Sequence, residues 1–274
     1  MASSPFISVP GVINFREVGG CPISTQPGKA VRCGLIYRSA DPSRATDEGV
    51  AALVGFGIKR VYDLRSRHES AALRGYSPSE ADWEGIERVS VPVFRDQDYS
   101  QEATVRRNTN FSSGPEGFAR AYLDILDAAS SASNESQPFA KILSHLASAA
   151  PTPLLIHCSA GKDRTGVICA LILALCGVDD DAVADEYHLT ELGIRDLRDT
   201  IIRSLMTEEL FANNPEGAKR MVEAQKESML GTLKMIRRIY GSVERCVIDL
   251  KLLSAEGIEQ LKRNLIRDVD EASA

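Results

Sequence analysis

The chain is predicted to fold as an α/β protein: a central, mostly parallel sheet flanked by helices, with a helical C-terminal part over about 178–274. Three observations predict this. Strand-like and helix-like segments alternate up to about residue 176, the order that builds parallel sheets. The run Leu154-Leu155-Ile156-His157 passes through a short loop into Thr165–Leu175, which is apolar on nearly all faces and reads as a buried helix. After Gly177 only helical patterns follow, and they are expected to pack on the sheet, making 1–274 a single domain of 274 residues.

Residues 1–13 read as an arm. The stretch Asn14-Phe15-Arg16-Glu17-Val18-Gly19-Gly20 is a turn carrying a basic residue, and residues 34–39 read as a strand. Thr46 is placed to cap a helix through about Phe56, with Asp47 and Glu48 in its first turn and Gly57 as its stop. Ile58–Leu64 is the next strand. Arg65 follows at its end, either facing the rim of an open α/β sheet or ion-paired with Asp63 or Glu69. Arg88–Phe94 is a further strand, and residues 95–115 read as a polar, mobile loop with no apolar periodicity. Glu116–Ala129 is a helix, 130–137 a low-complexity surface loop, and Pro138–Ala149 a helix leading to the strand before Cys158. Beyond it, Asp180–Gly193 and Arg195–Phe211 are helix candidates. Asn214 and Pro215 start a long third helix whose Met221, Met229, Leu233, Ile236 and Tyr240 suit packing. Ser254 starts the last helix. No internal repeat is visible.

Composition narrows the function. The net charge of −6 argues against broad nucleic-acid binding but does not oppose an anionic substrate, which feels local charge. No apolar run reaches ~18 residues and no basic stretch precedes an apolar one, so neither an integral membrane segment nor a signal peptide is expected. The 6 cysteines lie at irregular spacings with no Cys/His cluster, so no metal or other cofactor is expected. They are read as reduced thiols in the cytoplasm, with Cys169 and Cys176 in the core.

The chemistry concentrates in residues 154–166, LLIHCSAGKDRTG. A helix N-terminus carries roughly +0.5 charge and unpaired N–H groups, so it favours an anion. The loop Ser159-Ala160-Gly161-Lys162-Asp163 is short enough for several backbone N–H groups to form an anion-binding nest. Arg164 adds a planar fork that grips two phosphate oxygens. A free thiol is only ~3% ionised at pH 7, but electropositive loops favour the thiolate. A thiolate at Cys158, beneath a phosphate held by Arg164, can attack phosphorus to give a phospho-cysteine that water hydrolyses. Thr165 is placed to donate its hydroxyl to the sulfur, and His157 to orient the loop.

HCSAGKDRTG resembles the Cys-x5-Arg signature of protein-tyrosine and dual-specificity phosphatases. Its Gly-Lys-Asp-Arg variant is similar to the bacterial and fungal tyrosine/serine phosphatase branch. Asn14–Gly20 resembles that family's Asn-Phe-Arg-Asp-Leu-Gly-Gly box, with Glu17 and Val18 as departures, and Arg38-Ser39 and Asp63–Ser66 are similar to further boxes. The resemblance implies a cysteine-phosphatase-like fold and a substrate that is a phosphorylated protein or a phosphoinositide.

The leaving group needs a proton, and a positioned acid contributes roughly 10²–10⁴-fold. Asp163, inside the loop, is one candidate, as in lipid phosphatases with an Asp beside the loop Arg. Asp96 is the other, with Asp98 able to substitute: it follows a strand at the start of a mobile loop, where family members place an acid. Lys162 at the loop mouth would favour substrates with more than one phosphate; otherwise it is a solvated side chain.

The leading expectation is therefore a phosphotyrosine phosphatase, with dual specificity as its extension. An inositol-phosphate or phosphoinositide phosphatase shares the chemistry, and a catalytically silent phosphate-binding adaptor is the reading of a different class. An ordinary βα turn with a buried Cys and a sulfur-transferase loop are the remaining alternatives. A nucleotide-binding Gly-Lys-Ser/Thr loop fails on spacing, since Asp163 follows Lys162.

Overall fold

The strands that carry the site are short, four residues each, and mostly buried. Residues 4–66, 69, 83–207, 209 and 211–269 are described in a computed structural model. The strands are β1 (Arg16–Glu17), β2 (Lys29–Val31), β3 (Ile36–Ser39), β4 (Arg60–Asp63), β5 (Glu87–Ser90), β6 (Leu154–His157) and β7 (Ile266–Asp268). Among the described residues the main sheet runs β1-β3-β6-β4-β5. β3, β6, β4 and β5 are parallel, and only β1 pairs antiparallel, with β3. A small antiparallel sheet joins β2 to β7. The mostly parallel sheet is as the sequence predicts.

The helices follow in chain order: α1 (Asp47–Gly55), α2 (Gln101–Ser112), α3 (Pro115–Ser130), α4 (Pro138–Leu146), α5 (Asp163–Leu175), α6 (Asp180–His188), α7 (Thr190–Gly193), α8 (Arg195–Leu205), α9 (Pro215–Val222), α10 (Lys226–Tyr240), α11 (Val243–Asp249) and α12 (Ala255–Leu265). Thr46 caps α1 by accepting from the Gly49 N–H, as its position predicts. α5 is buried along almost its whole length and packs with α3, α6 and α11 in the main core, together with Cys169 and Cys176.

Three expectations change. Residues 95–115 are not an open loop: a 3₁₀ turn (Asp96–Tyr99) leads into α2, whose N-cap Ser100 accepts from the Ala103 N–H. Its buried residues are Arg107, Asn108 and Phe111, so its inner face is largely polar and leaves no apolar period to read. Arg107 is accommodated there over the rings of Phe94, at 4.4 Å, and Tyr99, at 5.1 Å. The helix predicted from Asn214 is broken in two, because Glu223–Gln225 is extended between α9 and α10. The candidate at Asp180–Gly193 likewise divides at Leu189 into α6 and α7.

Candidate active site

The site forms where β3, β6 and β4 end side by side. Ser39, His157 and Asp63 are level in the register, so the segments after them converge at the C-terminal edge of a parallel sheet, the usual binding edge of such folds. Cys158 begins the loop and is buried.

The loop is held from outside by its carbonyl groups. The Asp41 N–H donates to Ser159 O at 3.0 Å. Asn14 Nδ2 donates to Ala160 O at 3.0 Å. Arg38 Nη2 donates to Gly161 O at 2.6 Å, and the Gly166 N–H donates to Lys162 O at 2.8 Å. With its carbonyls turned away, the loop presents its other polar edge inward. Among the described residues, no backbone N–H from Ser159 to Arg164 donates to a protein acceptor. That is the donor set an oxyanion takes up. Gly161 has φ +65°, and a β-carbon there would run into the Ser39 carbonyl, so the turn requires glycine.

Arg164 is fixed by a residue the sequence reading did not single out for it. Glu69 accepts from Arg164 Nη1 at 2.5 Å and from Nη2 at 2.7 Å. Glu69 also accepts from the Tyr99 hydroxyl at 2.7 Å, the Ser66 N–H at 3.0 Å and the Ser159 hydroxyl at 3.2 Å. Burial alone would raise its carboxyl, but Arg164, Tyr99 and the Ser66 N–H hold it well below the usual carboxylate range. The pair uses one edge of the guanidinium. The Nε edge has no acceptor among the described residues, so the fork that grips phosphate is still open to it.

Arg65 does not pair with Glu69. It bridges Asp63, at 2.8 Å, and Asp41, at 2.5 Å. The ion-pair reading of Arg65 therefore holds, and it braces the loop through Asp41. His157 is fully buried, with Nδ1 at 3.2 Å from the Cys158 carbonyl and Nε2 at 3.8 Å from Asp63. Burial pushes its pKa down against the pull of Asp63, so it is neutral at physiological pH. Thr165 Oγ1 is buried with no hydrogen-bond partner among the described residues, which leaves its proton to be given within the site.

Asp163 opens α5, and its carboxylate accepts from the Tyr122 hydroxyl at 2.8 Å; Tyr122 meets Tyr187 at 2.6 Å. The backbone of Asp96 lies in the 3₁₀ turn, but its side chain falls outside the described residues. Asp98 is taken by Arg95, whose N–H donates at 2.8 Å and whose Nε donates at 3.2 Å.

Lys162 is 3% exposed and so is not a solvated side chain. Its ammonium donates to Met221 O at 2.7 Å and Glu223 O at 3.0 Å, and sits 4.7 Å from the centre of the Phe118 ring. It thus satisfies carbonyls at the end of α9, where the chain leaves the helix. Ala160 packs against the cluster of Ile194, Leu205, Phe211, Ala218 and Val222, so the loop touches the helical C-terminal part directly.

The family model that describes the tyrosine phosphatase family matches residues 7–267. The chain belongs to that family. This tyrosine phosphatase is 30% identical over 284 residues to the triple specificity protein phosphatase PtpB of Mycobacterium tuberculosis, covering 95% of this chain and 97% of that protein. It is 30% identical over 185 residues to a tyrosine-protein phosphatase of Nostoc commune, covering 66% of this chain and 56% of that one. The solved P. aeruginosa TpbA in complex with pTyr is a looser likeness, with TM-score 0.30 and 18% identity over 72% of this chain and 91% of that one. The matched region contains both the loop and the helical C-terminal part. Among the described residues no helix is long and apolar enough to cross a membrane.

Proposed function

We propose that this phosphatase hydrolyses phosphotyrosine through Cys158 and Arg164. The observation that supports it most is the loop's polarity: its carbonyls are tied outward, and the N–H groups of Ser159 to Arg164 are left for an oxyanion beside a buried thiol. The Cys158 thiolate attacks phosphorus, the bond from phosphorus to the tyrosyl oxygen breaks, and an acid protonates that oxygen. Water then attacks the phospho-cysteine, releasing phosphate and the thiolate. Thr165 stabilises the departing sulfur, while His157 and Arg65 support the loop. Asp163 is our first choice of acid because it stands at the loop itself; Asp96 is the second. Cys158→Ser is expected to bind a phosphotyrosine peptide while losing hydrolysis, checked by phosphate release and calorimetric binding. Hydrolysis that survives in Cys158→Ser overturns the mechanism.

A wider substrate range is the second reading, supported by the name of the mycobacterial relative, a triple specificity protein phosphatase. Lys162 does not add to it in this arrangement, since its ammonium is spent on the end of α9. Phosphate release from phosphotyrosine peptide, phosphoserine peptide and phosphoinositide separates the readings. The six free thiols suit a reducing compartment, so the proposal includes action in the cytoplasm on a phosphorylated protein rather than on nucleic acid.

A further inference from the structure

Behind the loop, two arginines share one carboxylate. Arg16 and Arg38 are both 0% exposed, and Glu186 on α6 is 8% exposed. Glu186 accepts from Arg16 Nε at 2.8 Å and from Arg38 Nη1 at 2.5 Å. Arg16 spends its other donors on Asn14, the Glu186 carbonyl and Thr190. Arg38 instead reaches the catalytic loop, donating to Gly161 O, and its Nε is buried without a partner among the described residues. One positive charge is therefore left over in a dry site, an expensive arrangement unless an anion answers it.

The other charges around the loop do not cancel it. Arg164 is matched by Glu69, and Lys162 stands 3.2 Å from Asp163. His157 is neutral, and the Cys169 thiol, pushed up to about 12 by burial, is neutral too, as is Tyr187. Arg65 with Asp63 and Asp41 carries one surplus negative charge, but both carboxylates are 19% exposed, so water screens them far better than it screens Arg38.

We propose that Arg38 is a positioning residue with an electrostatic role. It turns the Gly161 and Lys162 carbonyls out of the cradle and, with Arg16 and their shared Glu186, holds a net positive charge behind Cys158 that favours the thiolate and the bound phosphate. Glu186 sets the size of that charge by cancelling one of the two guanidinium charges. The proposal rests on the cysteine mechanism above. Loss of hydrolysis in Cys158→Ser tests that mechanism, and the pH midpoints of other variants test this one.

The experiment measures the pH dependence of Cys158 alkylation by iodoacetamide, with Cys158→Ser as the blank, beside kcat/KM on a phosphotyrosine peptide. A unit charge acting over ~10 Å in a partly screened site moves a titration by about one pH unit. Arg38→Met is expected to raise the alkylation midpoint and the acid limb of kcat/KM by about that amount. Arg38→Lys keeps the charge and loses part of the hydrogen bonding, so it lowers kcat without moving the midpoint. Glu186→Gln moves the midpoint down. Coincident midpoints in folded variants, or equal shifts in Arg38→Lys and Arg38→Met, overturn the proposal. Where Arg38→Met does not fold, the downward shift in Glu186→Gln decides alone, and its absence is equally fatal.

Discussion

At the scale of single residues, Glu69 and Asp163 show how differently two carboxylates serve one loop. Glu69 is bound by six donors, two of them from Arg164. It is a fixed anion that aims the guanidinium, not a proton donor. Glu69→Gln keeps the shape but weakens a charge-assisted pair of ~1.5–3 kcal/mol. The expected cost is roughly 10–100-fold in kcat/KM on phosphotyrosine peptide; an unchanged kcat/KM would mean that Arg164 needs no brace. Asp163 has one oxygen on Tyr122 and near Lys162, and its carboxylate is 26% exposed. If it is the acid, Asp163→Asn loses far more on an aryl phosphate with a poor leaving group than on one with a good one. The same comparison in Asp96→Asn tests the other candidate, and equal losses on both esters in both variants exclude the pair.

At the scale of elements, the break between α9 and α10 and the loop explain each other. The Lys162 ammonium takes the Met221 and Glu223 carbonyls, Glu191 accepts from the Ala224 N–H, and His188 meets the Ala224 carbonyl at 2.8 Å. These contacts satisfy the backbone groups that leaving the helix exposes. Lys162→Met strands two carbonyls and is expected to lower stability by about 2 kcal/mol, read as a fall in Tm. A loss confined to polyphosphorylated substrates at unchanged Tm would put Lys162 on the substrate instead. These dependencies also mark what was readable beforehand. The strand, the Cys-x5-Arg loop and α5 were legible because each is specified by residues a few positions apart. α2 was not, because it is stabilised by tertiary contacts of Arg107 and Phe111 rather than by its own periodicity. Glu69 was not, because nothing local ties a lone carboxylate to an arginine 95 residues later. Only the Ser66-x-x-Glu69 spacing, which resembles a capping box, offered a hint.

At the scale of the whole molecule, the buried ionisable groups define a pH window. Burial pushes His157 and His145 down, so the unfolded chain binds more protons below about pH 6.5 and stability falls there. Glu69 and Glu186 are held below their ordinary values against burial, by Arg164 and by Arg38 and Arg16 respectively. Their contribution is complete above about pH 4.3 and is lost as pH falls further. Cys169 and Cys176 are pushed up to about 12 by burial, so their contribution is complete below about pH 8.5 and fades as pH rises towards 12. Thermal unfolding from pH 4 to pH 10 is expected to give the highest Tm between about pH 7 and 8.5; a Tm that still climbs as pH falls to 5 would contradict this.

The small sheet of β2 and β7 adds a consequence in time. Lys29 and Asp268 are paired although 239 residues separate them in the chain. The hairpin that carries β2 is closed by the Gly20 N–H donating to Val31 O, and Val18, just ahead of it, bonds to β3, its N–H donating to Ile36 O. During synthesis β2 has only the preceding residues 20–23 to bond to, and lacks β7 until a segment made 239 residues later has left the ribosome. That seam therefore closes late, after the segments that meet at the catalytic loop have been made.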